Sequence, residues 1–343
     1  MMLVSLAGGL ACSDESDAPS VDDALRDAVA SAMPAPAAPQ PPATDTLAPG
    51  IAGVVAPGSV VAVIGEGFDG TEGPLGMPDG TLLFTETNAN RILHIGLDDA
   101  VSTFLENSNG SNALGVDPEA RLVSVQTTPG QTQVGIIYPP GSEAVLTADF
   151  DGQPYGRPND LVVATTGDIY FTEPGPNVPA GTTPPPPPLP PAVYHLAPDG
   201  DVQRVAEDIR RPNGITLSID EATLFVNDTQ GPALLAFDVL PDGRLANRRE
   251  HAAYDAVTVN ADGTLASGAD GLAIDAEGRL YAATTSGVQV FSPDGALLGT
   301  IPVSRAPQNI AFAGPDKRTL YIVGRGAAYK VAMLAQGFTG RAK

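Results

Sequence analysis

Residues 157–172 read RPNDLVVATTGDIYFT: a polar residue, an apolar run, a Gly/Asp turn and a second apolar run. Short apolar runs on either side of a turn signal predict a β-hairpin. The pattern returns along the chain. Glu72 leads into GPLGMPDGTLLFTET, Asn112 into ALGVDPEARLVSVQT, Asn213 into GITLSIDEATLFVND, Asp270 into GLAIDAEGRLYAATT and Asn309 into IAFAGPDKRTLYIVG. With Asn159 of the first stretch, this makes six hairpins, each headed by an oxygen-bearing side chain. Their starts lie 40, 47, 54, 57 and 39 residues apart, close to the roughly 40–50 residues of a propeller blade.

Further strand pairs fill the intervals, at 91–105, 192–206 and 288–301, which gives four strands per unit. After Asn309 only about three strands remain, so SVVAVI (59–64) is expected to supply the outer strand of the last blade. That closes the ring through the chain ends and leaves no sheet edge at the seam. The predicted fold is therefore all-β, a six-bladed β-propeller over residues 51–343 with four-stranded blades.

Composition agrees. The 343 residues are 43% hydrophobic, enough for a large core, and 38 Gly and 34 Pro without a single Trp favour many short strands. With 18 basic against 40 acidic residues, a net charge of -22 argues against nucleic acid as a partner, whose phosphates need clustered Lys and Arg. The match of GEGFDG (65–70) to a dinucleotide fingerprint is set aside, because TEGPLGMPDGT follows where a helix would have to begin.

Cys12 is the single cysteine, which excludes an internal disulfide and a cysteine zinc cluster. It ends the apolar run MMLVSLAGGLA, so residues 1–12 resemble the end of a bacterial lipoprotein signal, although no Lys or Arg precedes the run. The expectation is export to the periplasm or outer membrane, with membrane anchoring through lipidated Cys12; the alternative is an incidental thiol in a disordered start. Residues 13–50, acidic and rich in Pro and Ala, are read as a disordered linker.

In a propeller the entry of each inner strand faces the axis, so the six heading residues converge. Glu72, Asn159, Asn213 and Asp270 would then offer two carboxylates and two amide oxygens, a set suited to a hard cation such as Ca²⁺. Asn112 and Asn309 complete the ring as outer or substrate contacts. Any single Asn before a strand also suits a turn that bonds its own backbone; the shared phase of all six favours a common role. Glu86, Asp98, Asp99, Glu119, Asp220 and Glu277 lie off that phase and read mostly as surface charge. The loop at 175–191 lies on the same face as the ligands, either a wall or lid over the pocket or an inert polyproline insertion. His94, His195 and His251 fall in outer strands or connections, away from it.

The motifs TEGP (71–74), RPND (157–160), YFTEP (170–174), RPNG (211–214), DGLAIDAEGRLYA (270–282) and FAGPDKRTLYI (312–322) resemble, in order, the senescence-marker-protein, gluconolactonase and luciferin-regenerating-enzyme-like propellers. The resemblance implies a divalent metal held by Glu72, Asn159, Asn213 and Asp270, with Ca²⁺ first and Zn²⁺, Mn²⁺ or Mg²⁺ as other candidates. It implies a lactone-opening hydrolase acting on a small molecule, with Asp270 as base and Arg157 binding substrate. Asn112, Asn309 and Glu173 are added as substrate contacts; Glu173 stands where relatives commonly carry Asp. Organophosphate or ester hydrolysis on the same site is one alternative, and a non-catalytic surface propeller with a structural cation is another. No protein partner is inferred.

Overall fold

The computed structural model describes residues 40–175, 189–260 and 263–341. Cys12, the signal-like segment, the linker up to residue 39 and residues 176–188 of the proline loop lie outside the described residues. All regular structure among the described residues is β, and no helix there is long and apolar enough to cross a membrane.

The hairpins build six antiparallel blades; in the first five the strands follow one another outward in chain order, and the sixth takes its outer strands from the start of the fold. The inner strands are Thr71–Gly76, Ser111–Val116, Leu161–Val163, Pro212–Leu217, Leu272–Ile274 and Asn309–Ala313. Each touches the next, and the sixth touches the first, so the ring is closed. The seam forms as expected: Val60–Glu66 pairs antiparallel with Ala327–Ala332 on the outside of blade 6.

The fold also reaches further back than residue 51. Thr46–Leu47 pairs with Val60–Val61 as a fifth strand of blade 6. Thr46 Oγ1 donates to Pro302 O (2.6 Å), and Arg305 Nε donates to Pro41 O (2.7 Å). The end of the stretch read as linker is thus bound to the propeller by hydrogen bonds that its Pro-rich composition does not reveal.

The second strands read as unbroken apolar runs because both of their faces are covered. In blade 1, Leu82 and Phe84 pack against blade 6, with Ala311 and Val323, while Leu83 packs against Leu114 and Leu122 of blade 2. Similar clusters fill every other junction between blades. Outer strands such as Val101–Glu106 are largely exposed. This interleaved core fixes the radius of the ring, and therefore how closely the inner-strand entries approach one another.

The longer repeats have extra structure at one end. A two-stranded hairpin, Asp149–Phe150 with Gln153–Pro154, lies in the connection to the inner strand of blade 3, and Thr258–Val259 with Leu265–Ala266 lies in that of blade 5. Both belong to the end at which inner strands begin.

Candidate active site at the channel mouth

The six heading residues sit where the inner strands begin, and hydrogen bonds link them from blade to blade in a full circle. Thr85 Oγ1 donates to Asn112 O (2.8 Å), Asn112 Nδ2 to Asn159 O (2.9 Å) and Thr172 Oγ1 to Asn213 O (2.8 Å). Asn227 Nδ2 donates to Asp270 O (2.5 Å), Gly271 N to Gln308 O (2.7 Å) and Asn309 Nδ2 to Glu72 Oε2 (3.2 Å). Approach is close enough to dictate glycine: a Cβ on Gly214 would lie 2.0 Å from Asp270 O, and one on Gly271 2.0 Å from Asn309 Oδ1.

The second strands supply a two-residue device that serves this circle. In Thr85-Glu86, Thr172-Glu173 and Asn227-Asp228, the first residue bonds the next blade's heading residue, as above. The second anchors the loop that enters its own blade: Glu86 accepts from Asp69 N (2.8 Å), Glu173 from Arg157 N (2.8 Å) and Asp228 from Arg211 N (3.1 Å). Gln126 holds the corresponding loop of blade 2 through Asn109 Nδ2 (2.8 Å).

Three of the expected substrate contacts have their polar atoms engaged by the fold. Glu173 is 0% exposed and its carboxylate also accepts from Gly175 N (3.0 Å), so it positions the Arg157 loop. Asn112, 1% exposed, spends its amide on Asn159 O and its oxygen on Thr87 Oγ1 (3.2 Å). Asn309, 2% exposed, donates to Glu72 and accepts from Ile310 N (2.9 Å). Asn112 and Asn309 therefore order the ring and its acids, leaving little to offer a substrate. Glu86, read as surface charge, is 1% exposed and anchors a loop.

Glu72, Asn159 and Asn213 are buried, and Asp270 is half-buried. Glu72 accepts only long hydrogen bonds, from Asn309 Nδ2 (3.2 Å), Gln308 Nε2 (3.3 Å) and Gly73 N (3.4 Å). Asn213 donates through Nδ2 to Thr229 Oγ1 (3.1 Å), while its Oδ1 is buried with no partner; the same is true of Asp270 Oδ1. Burial pushes the Glu72 carboxyl up to about 7, and the neighbouring Asp160 adds to this against Asn309 and Arg157. Burial and then Glu72 hold the Asp270 carboxyl well above its ordinary range, with Arg325 and Arg157 opposing. Two neighbouring acids, one of them with a partnerless Oδ1, beside the partnerless amide oxygen of Asn213 form an arrangement that a cation relieves. Carboxylate and amide oxygens are the ligands a hard divalent ion takes, so the residues present fit such an ion.

Asp160, Arg211, Gln308 and Arg325 escaped the sequence reading. Asp160 follows Asn159 directly and is hidden by it; its Oδ1 accepts from Leu161 N (2.8 Å) and its Oδ2 from Ile215 N (3.3 Å), tying blade 3 to blade 4. Arg211 heads a second copy of Arg-Pro-Asn, and that repetition was the available signal.

A closed six-bladed propeller that gathers acid and amide oxygens at one mouth defines a class of proteins built around a channel-mouth site. Residues 70–325 match the family described as SMP-30/Gluconolactonase/LRE-like region, and the chain belongs to that family. It is 29% identical over 293 residues to the gluconolactonase of Zymomonas mobilis, spanning 76% of this chain and 78% of that one. A gluconolactonase structure from Xanthomonas campestris aligns with a TM-score of 0.73 at 29% identity, over 87% of this chain and 99% of the other. The calcium-binding protein regucalcin from Agrobacterium tumefaciens shares the fold, with a TM-score of 0.65 at 18% identity over 80% of this chain and 94% of that one.

Proposed function

We propose that this protein is a divalent-cation-dependent lactonase. The observation that carries the reading is the pair of partnerless, buried oxygens, Asn213 Oδ1 and Asp270 Oδ1, in one hydrogen-bonded circle with Glu72. Lactone hydrolysis by the relatives of similar length supports it. Glu72, Asn159, Asn213 and Asp270 would hold the ion, Ca²⁺ first by donor chemistry. When bound, it supplies Lewis-acid polarisation of the ester carbonyl.

The chain's own groups do the rest. Asp270 accepts the proton of the attacking water as the new C–O bond forms at the carbonyl carbon, and returns it to the ring oxygen as the ring C–O bond breaks, which gives a hydroxy acid. Asn309 and Gln308 hold Glu72 in place, Asn227 fixes the backbone of Asp270, and Tyr254 orients Asn227 through its hydroxyl. Arg157, its backbone pinned by Glu173, orients substrate at the rim.

A screen of sugar and acyl lactones with and without chelator tests the reading. Hydrolysis of at least one lactone, abolished by chelator and restored by Ca²⁺ or another divalent ion, is expected. If metal-loaded protein opens none of them, the lactonase assignment fails.

A further inference from the structure

The channel mouth carries a set of positive charges that ring opening alone does not require. Arg-Pro-Asn occurs at 157–159 and again at 211–213, on consecutive blades. In both copies the arginine N–H is held by the carboxylate that ends the blade's second strand, at 2.8 Å for Arg157 and 3.1 Å for Arg211. The two side chains therefore leave equivalent points, two residues ahead of Asn159 and Asn213. Arg325 reaches the same end from blade 6. It follows the second strand Thr319–Gly324, and its N–H donates to Gln308 Oε1 (2.8 Å), whose Nε2 meets Glu72.

All three points lie on one circle: Asn159 and Asn213, two residues after Arg157 and Arg211, take part in the blade-to-blade hydrogen bonds, and Gln308, which Arg325 N–H holds, meets Glu72 of the same circle. Many of the other described arginines face carboxylates, as in Arg121 with Asp117, Arg279 with Asp275 and Arg305 with Glu66. Among the described residues, the guanidinium groups of Arg157 and Arg325 are in no ion pair. Where acids outnumber bases 40 to 18, cations at one mouth without an ion pair stand out. Guanidinium groups carried on one end of the ring match the charge and donor chemistry of an oxyanion.

We propose that Arg157, Arg211 and Arg325 form an oxyanion subsite, so that the substrate carries a phosphate or carboxylate in addition to the ester that is opened. The reaction part of this inference rests on the lactonase reading; the binding part does not.

The test separates the two. Calcium-loaded protein is titrated calorimetrically with glucose, glucose 6-phosphate and glucuronate, and hydrolysis of glucono-1,5-lactone is compared with that of its 6-phosphate. The expected result is that at least one charged sugar binds about tenfold or more tightly than glucose, the size of one charge-assisted hydrogen bond. The tighter arm identifies the oxyanion, and the preference shrinks by a similar factor in Arg325→Gln and in Arg211→Gln. Charged sugars that bind no better than glucose, or a preference untouched by either substitution, overturn the subsite. Arginine-dependent binding without hydrolysis of either lactone, or of any lactone in the wider screen, supports the subsite and overturns the lactonase reading instead.

Discussion

Asp270 and Asp275 stand five residues apart, at opposite ends of the inner strand of blade 5, and they live by opposite rules. Asp275, 0% exposed, is saturated. Its carboxylate accepts from Glu277 N (2.9 Å), Arg279 N (3.0 Å), Arg279 Nε (2.6 Å) and Tyr281 OH (2.9 Å). Asp270 has its backbone just as firmly held, donating to Ala283 O (2.9 Å) and accepting from Gly214 N (3.1 Å), yet its Oδ1 has no partner, and burial and the charge of another acid, Glu72, oppose its ionisation. One end of the strand uses a buried carboxylate to close a turn. The other holds one ready for a ligand.

The contrast predicts effects in different assays. Asp270→Asn should lower kcat by about 10²–10⁴-fold, the usual contribution of a general base. Its urea midpoint in the absence of metal should equal or exceed that of the parent, because repulsion from Glu72 is relieved. Full activity in this variant would remove Asp270 from the chemistry. Asp275→Ala should do the reverse, leaving Arg279 with a lost partner and reducing unfolding free energy by about 3 kcal/mol, while kcat per folded molecule is kept. An unchanged denaturation curve would show that the saturated turn contributes little.

The smallest effect tests whether a partnerless buried atom suffices to mark a site. His251 Nε2 is also buried without a partner, but it lies on the outer strand Leu245–Ala253, with its ring against Phe225 at 4.9 Å. Burial, and then Arg249, lower its pKa from the ordinary 6.5, so the fold favours the neutral ring. The unfolded chain then takes up a proton that the folded chain resists, and stability present above about 6.5 declines as the pH falls through that value. His251→Phe should flatten this part of the stability profile with no effect on catalysis. An unaltered slope in urea titrations between pH 7 and pH 5 would refute it.

Much of this was legible before any coordinates. The blade count, the seam strand and the phase of Glu72, Asn112, Asn159, Asn213, Asp270 and Asn309 follow from apolar runs and turn residues, which report local geometry directly. What each heading side chain does was less so. Whether Asn112 faces a ligand or Asn159 O depends on the spacing between blades, and that is set by core packing far along the chain. The anchoring pairs Thr85-Glu86, Thr172-Glu173 and Asn227-Asp228 were visible as a recurring Thr or Asn followed by an acid, but their division of labour needs two blades in view at once. Arg325 has no motif around it. Thr46–Leu47 is a strand only because Val60–Val61 is there to receive it.

The seam has a consequence for the order of synthesis. Val60–Glu66 is made before the first blade, whereas its partner Ala327–Ala332 is made after the other five. A nascent chain can therefore assemble sheets one after another while Val60–Glu66 waits for its partner, and the circle is completed only when the sixth blade has been made. Once joined, the outermost edge is the two-residue Thr46–Leu47, too short to recruit another chain.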